Sequence, residues 1–166
     1  SILNEKDYST KNHFFLNSSG ELDYNNFDDT QLSVQLQHVS KNTYLKKYKL
    51  NSPLIKSNST LTSLINFNTT REDLSIDVDF IAYENLGEVR NSDKYEFVYP
   101  SYSLQKELGT DQKMPGAFNL SSNGYIKNYN TNIFEKVVIN DFLYSSFPSF
   151  TSNGFKNNFN ILIKNI

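Results

Sequence analysis

Residues 74–80, LSIDVDF, decide the fold class, because apolar and polar residues alternate through them without a break. A period of two places successive side chains on opposite faces of a β-strand. Residues 32–36 (LSVQL) and 159–163 (FNILI) repeat much the same pattern. We therefore expect strands that each bury an apolar face and expose a polar one.

Less regular apolar runs predict further strands at residues 61–67, 95–99 and 133–139. Tight reversals are predicted at Asn123-Gly124 and Asn153-Gly154, because both residue types accept positive φ.

One short helix is expected at residues 103–108, with Ser103 as its cap, after Pro100 ends the preceding strand. Residues 40–50 fit either a strand or a helix.

The number and shortness of these elements predict an all-β or mostly β fold. Residues 1–166 are one domain on length, with no linker or internal repeat. The expected architecture is a β-sandwich or a small β-barrel with one short helix.

The composition narrows the classes of partner and site. The chain has no cysteine, so it has no disulfide or thiolate site. Its formal net charge of −2 gives no bulk attraction to nucleic acid, which makes nucleic acid an unlikely partner. No apolar run approaches the ~20 residues of a spanning helix, so no membrane partner is expected.

No recognisable motif for catalysis, metal binding or cofactor binding emerges. His13 and His38 lack the spacing of a metal site. Asp77 and Asp79 share a strand face, which would suit calcium or a glycosidase pair, but such alternation more often marks a solvated face. We therefore expect no enzyme activity, no cofactor and no metal.

A short basic patch interleaves lysines with tyrosines, a pattern that can hold single-stranded nucleic acid. A solvated strand edge explains it equally well, because lysines there discourage aggregation. The patch comprises Lys41, Tyr44, Lys46, Lys47, Tyr48 and Lys49.

Residues 135–150 (EKVVINDFLYSSFPSF) run from a strand into an aromatic-proline turn, and residues 155–163 (FKNNFNILI) follow as a last alternating strand. This ending resembles that of the tube proteins of contractile phage tails. The resemblance implies a small β-barrel that stacks in rings, works through its edges and loops, and carries no catalytic residue. It also implies a place in the virion, after assembly in the host cytoplasm.

The first functional hypothesis is a structural subunit of a virion, a phage tail or a related assembly. Its partners would be itself or other structural subunits. Four aromatic residues are the predicted anchors, either at an interface or in the core: Phe147, Phe150, Phe155 and Phe159.

The alternative is a monomeric binding module, such as a carbohydrate-binding or adhesin-like β-sandwich. Its sugar platform would use exposed tyrosines from the set Tyr95, Tyr99, Tyr102, Tyr125 and Tyr129. A hydrolase that uses Asp77 or Asp79 is the third and weakest hypothesis.

Overall fold

A computed structural model describes residues 12–49, 52–87, 94–109, 115–129 and 133–165. Within these ranges the chain forms ten strands and one helix. In chain order they are β1 (His13–Glu21), β2 (Asp29–Val39), α1 (Tyr44–Tyr48), β3 (Thr60–Arg71), β4 (Leu74–Asn85), β5 (Tyr95–Leu108), β6 (Gly116–Tyr129), β7 (Ile133–Ser146), β8 (Ser149–Phe150), β9 (Lys156–Asn157) and β10 (Asn160–Asn165).

Eight strands form one antiparallel sheet in the order β1-β2-β3-β4-β5-β6-β7-β10, and β8 pairs with β9 in a separate hairpin. Strands that are consecutive in the chain are therefore neighbours in the large sheet. The one exception is that β7 lies beside β10, because β8 and β9 form the separate hairpin. The prediction of a nearly all-β protein with one short helix is confirmed.

The strands do not close into the small β-barrel, which was one of the two predicted architectures. Among the described residues, β1 and β10 are the two edges of the large sheet, and extensive contacts between elements run only between paired strands. Within the described residues the sheet is therefore open rather than closed into a barrel. Alternation specifies which side chains share a face, but it does not specify what covers that face.

The helix lies elsewhere than predicted. Residues 103–108 belong to β5, where Leu104 pairs with Ile76 on one side and Ser122 on the other. The observed helix, α1, lies in the segment that fitted either structure, and Lys49, whose φ is 45°, follows it as the C-cap. Residues four apart share a face in a strand as well as in a helix, so Leu104 and Leu108 could not distinguish the two.

Two predicted breaks in strands are also wrong. Pro100 lies inside β5, at the register shift between Val98 and Ser101, where a bulge tolerates the missing N–H. Gly124 lies inside β6 and pairs with Tyr102 and Val138.

The reversal predicted at Asn153-Gly154 is confirmed. It lies in the turn between β8 and β9, and Gly154 has a φ of 82°.

The buried core of the described residues lies at one end of the sheet. Val39, Leu45, Leu61 and Leu86 form the cluster, and Leu45 of α1 is fully buried. These residues lie at or beyond the ends of β2, β3 and β4, with Leu45 in the helix that follows β2. No described residue outside this cluster gives the middle of the sheet similar cover.

Where the regular pairing between β2 and β3 stops, a side chain of β2 bonds to the backbone of β3 and of the segment before it. The ladder ends at Gln35 opposite Leu64. Beyond it, the Oε1 of Gln37 accepts from the backbone N–H of Thr62 at 2.9 Å, and its Nε2 donates to the carbonyl of Leu54 at 2.9 Å. The two strands diverge there without leaving these backbone groups unsatisfied.

Candidate functional site

The register of the sheet places most of its apolar side chains on one side, because paired residues project to the same face. We call this side the apolar face. It carries the even-numbered residues of β1, β2, β4, β6 and β7 and the odd-numbered residues of β3 and β10. Strand β5 contributes its odd-numbered residues up to Tyr99 and its even-numbered residues from Tyr102 onward.

The apolar face spans the whole sheet. Leu32, Phe67 and Val78 lie in one row across β2, β3 and β4, and the row continues through Tyr102 to Val138 of β7. A patch that crosses all the strands is typical of a surface that packs against another apolar surface.

Large side chains of the apolar face are exposed to solvent. Ile65, Phe80, Val138 and Ile163 are 45%, 47%, 50% and 60% exposed. They lie on four different strands, so the exposure is not confined to one edge. The prediction that each strand buries its apolar face is therefore wrong for most of the sheet.

A shallow apolar groove of about 230 Å³ lies between β2 and β5. Leu36, Ile65, Phe80 and Phe97 are among its lining residues, and all four belong to the apolar face. A side chain from another molecule could fill this groove.

Several uncharged polar residues of the apolar face bond to one another. The hydroxyls of Thr30 and Thr69, each 2% exposed, are 2.8 Å apart. Ser122 lies 3.2 Å from the hydroxyl of Tyr102 and donates to Oδ1 of Asn140 at 2.7 Å. Because these groups satisfy one another, an apolar partner could cover them at little cost in lost hydrogen bonds.

The opposite side, which we call the polar face, carries Asp77 and Asp79. The Nδ2 of Asn66 donates to both carboxylates, at 3.1 Å and 2.8 Å, and the Nδ2 of Asn68 donates to Asp77 at 3.1 Å. Both aspartates are half-buried. The acidic side of β4 is thus a hydrogen-bonded network rather than the simply solvated face that was predicted.

Asp73 belongs to a separate charged cluster at the turn between β3 and β4. It pairs with Arg71 at 2.7 Å and with Lys106. The hydrogen bond from Arg71, followed by that from Lys106, lowers the pKa of Asp73 well below its usual range. A carboxylate neutralised in this way is a poor candidate for a general acid.

The four predicted anchor phenylalanines are all exposed. Phe147, Phe150, Phe155 and Phe159 are 53%, 71%, 69% and 57% accessible, so they do not form a core within the described residues. Three of them lie in or beside the β8–β9 hairpin, and the ring of Phe159 lies 5.6 Å from that of Tyr144. Their role at an interface stays a prediction.

The register separates the five tyrosines of the predicted sugar platform. Tyr95, Tyr99 and Tyr102 are on the apolar face, whereas Tyr125 and Tyr129 are on the polar face. The bulge at Pro100, which the sequence did not reveal, sets which tyrosines of β5 share a face. The five together cannot form one platform, although Tyr95 and Tyr99, which are 45% and 43% exposed, share the apolar face.

The histidines and the basic patch are near the helical end of the sheet. His13 Nδ1 lies 2.9 Å from the hydroxyl of Tyr44, and His38 is paired with Phe14 in the neighbouring strand. Within the described residues, no group of three His, Asp or Glu side chains is placed to hold a metal ion. Among the residues that the structure describes, no helix has the length and apolarity needed to cross a membrane.

Sequence reasoning missed the exposed apolar face. The available signal was the alternation itself, which recurs in strand after strand.

The chain matches no protein-family model, no curated protein and no solved structure at a significant level. The resemblance to tail tube proteins therefore stays a prediction.

Proposed function

We propose that this chain is a structural protein that works by association, and that its apolar face is covered by a second copy of itself in an assembly. The observation that carries the proposal is the apolar face, most of whose large side chains are half-buried or exposed rather than buried. Such a face is costly to leave in water. Association removes that cost without requiring any chemistry from the chain.

The total exposed area supports this proposal. The chain exposes 12336 Å². A folded monomer of its 19.2 kDa mass would expose about 8,400 Å² by the usual scaling with size. Obligate interfaces bury roughly 2,000–5,000 Å² over both partners, or about half of that on each, so the excess of about 3,900 Å² on one chain is more than one such interface requires of it.

The finer assignment, to a virion or a phage tail, depends on the C-terminal resemblance alone. In such an assembly the exposed Phe150 and Phe155 of the hairpin would be additional contact residues, because exposed aromatics are frequent anchors of interfaces. Their exposure of 71% and 69% leaves both side chains accessible to a neighbour.

The carbohydrate-binding alternative has less support, since its tyrosines lie on opposite faces of the sheet. The hydrolase alternative has less still, because Asp77 and Asp79 are engaged with Asn66 and Asn68.

Light scattering over a range of protein concentrations tests the proposal. We expect a mass above that of the monomer that rises with concentration. A strict monomer at all accessible concentrations would contradict association with a second copy. A monomer that binds a soluble sugar would favour the alternative.

A further inference from the structure

The outer edge of the sheet has a step at β7. Strand β7 runs from Ile133 to Ser146, but β10 pairs only with its second half, from Asn140 to Ser145. Among the described residues, none pairs with the outer side of residues 133–139. Half of a long strand therefore has a neighbour, β6, on one side only.

The backbone groups that face this step follow from the hydrogen bonds at the far end of β7. Ser146 donates its N–H to Phe159, on the β10 side, at 2.9 Å, whereas Phe147 donates to Pro115, on the β6 side, at 3.0 Å. Along an antiparallel strand these directions alternate residue by residue.

The same alternation applies to residues 133–139. The N–H and C=O groups of Phe134, Lys136 and Val138 point into the step. Those of the odd-numbered residues point towards β6, with which they pair. The step thus offers a regular row of free donors and acceptors, spaced for one more strand.

We infer that residues 133–139 of β7 are an acceptor site for an added β-strand from a neighbouring polypeptide. The incoming strand runs antiparallel to β7 and in line with β10, so it continues the pairing that β10 begins. This inference rests on the proposed function in requiring a partner, and it names a contact made by backbone groups rather than by the apolar face.

The side chains beside the step define what the incoming strand carries. Phe134 and Val138 are 59% and 50% exposed on the apolar face, and Lys136 lies between them. Directly opposed side chains on neighbouring strands interact, and opposite charges there are favourable. The strand therefore has apolar residues opposite Phe134 and Val138 and an acidic residue opposite Lys136.

A peptide with the sequence of residues 123–129 is a suitable probe, because this segment already pairs with residues 133–139 within β6. In that register Ile126 lies opposite Lys136. Both versions of the peptide carry Gly124→Val and Asn128→Val, which place apolar residues opposite Val138 and Phe134. They form a matched pair, one with Ile126→Glu and one with Ile126→Lys. They are added to the intact chain, and binding and amide hydrogen exchange are measured.

We expect the acidic peptide to bind about threefold to fivefold more tightly than the basic one, as one cross-strand charge pair allows. The Lys136→Glu variant, an exposed change, should reverse that order. Exchange at the amides of Phe134, Lys136 and Val138 should slow on binding. Exchange at Glu135 and Val137 should be slow with or without peptide.

Two results would overturn the inference. One is the absence of binding by either peptide, with exchange at Phe134 and Val138 unchanged. The other is binding without alternating protection and without a reversed preference in the Lys136→Glu variant, which would place the peptide on a face of the sheet. Both results leave the self-association of the chain, measured by its mass, as a separate question.

Discussion

Gly124 of β6 lies against the ring of Tyr102 of β5, and a β-carbon at this glycine would come within 2.6 Å of the ring. It would also come within 2.7 Å of the carbonyl of Val137. The glycine that resembled a turn signal in the sequence is thus the residue that lets two strands and a ring pack closely.

We expect Gly124→Ala to destabilise the fold by about 1–3 kcal/mol, because the added methyl group overpacks the contact. Gly20→Ala is the matched control, since nothing lies within 4 Å of its β-carbon position. That change should stay within about 0.5 kcal/mol. Urea denaturation measures both free energies of unfolding, and equal values would show that the Tyr102 contact does not restrict this position.

The buried hydroxyl pair gives a second prediction. Thr30 and Thr69 bond to each other at 2.8 Å in adjacent strands. Thr69→Val should cost about 1–3 kcal/mol, because it removes the partner of the buried Thr30 hydroxyl. The double variant Thr30→Val with Thr69→Val should be less destabilised than the sum of the single variants. Additive effects in the denaturation cycle would mean that the two hydroxyls are not coupled.

The ion pairs of Asp73 give a prediction about pH. Its pKa is lowered in the folded state, first by the hydrogen bond from Arg71 and then by that from Lys106. A carboxyl group of this kind adds stability that is present in full above its unfolded pKa of about 4. That contribution is lost as the pH falls through the lowered pKa.

NMR titration of the Asp73 carboxyl group should therefore show a midpoint below that of an unperturbed aspartate. Arg71→Met should move the midpoint upward, because it removes the largest cause of the shift. The free energy of unfolding of the Asp73→Asn variant should fall less steeply with decreasing pH than that of the unmodified protein, because this carboxyl group is no longer present to be protonated. A midpoint near 4 in the unmodified protein would contradict the ion-pair geometry.

The strands could be predicted from the sequence wherever alternation was unbroken. Residues 74–80 and 32–36 lie within β4 and β2, with the expected residues sharing each face. Periodicity reports the conformation of a strand and the sides of its residues directly, so these predictions needed no knowledge of the partner strands.

Other features depend on contacts that one segment does not reveal. Residues 103–108 are compatible with a helix by their own spacing, but they pair with β4 and β6. Gly124 was placed in a turn because its packing partner, Tyr102, lies 22 positions earlier in the chain. Pro100 shifts the faces of β5 only because it lies at a bulge.

The candidate site could likewise be predicted only as far as local alternation allowed. Its residues could be assigned to the apolar sides of individual strands, but their exposure could not be predicted. Burial depends on whether another layer covers the sheet, and among the residues that the structure describes such cover lies near Leu45 and its cluster. Similarly, alternation indicated that Asp77 was polar and outward, but not that Asn66 and Asn68 lay beside it.

The most direct test compares two neighbouring residues of β10. Leu162 and Ile163 are exposed almost equally, at 59% and 60%, but Ile163 is on the apolar face and Leu162 on the polar face. Light scattering over a range of concentrations gives the dissociation constant of the self-association for Ile163→Ser and Leu162→Ser. We expect Ile163→Ser to raise it by about tenfold, since burying one such side chain contributes roughly 1.5 kcal/mol or more, and Leu162→Ser to leave it nearly unchanged. Equal effects of the two substitutions, or an unmodified chain that stays monomeric, would contradict association through the apolar face.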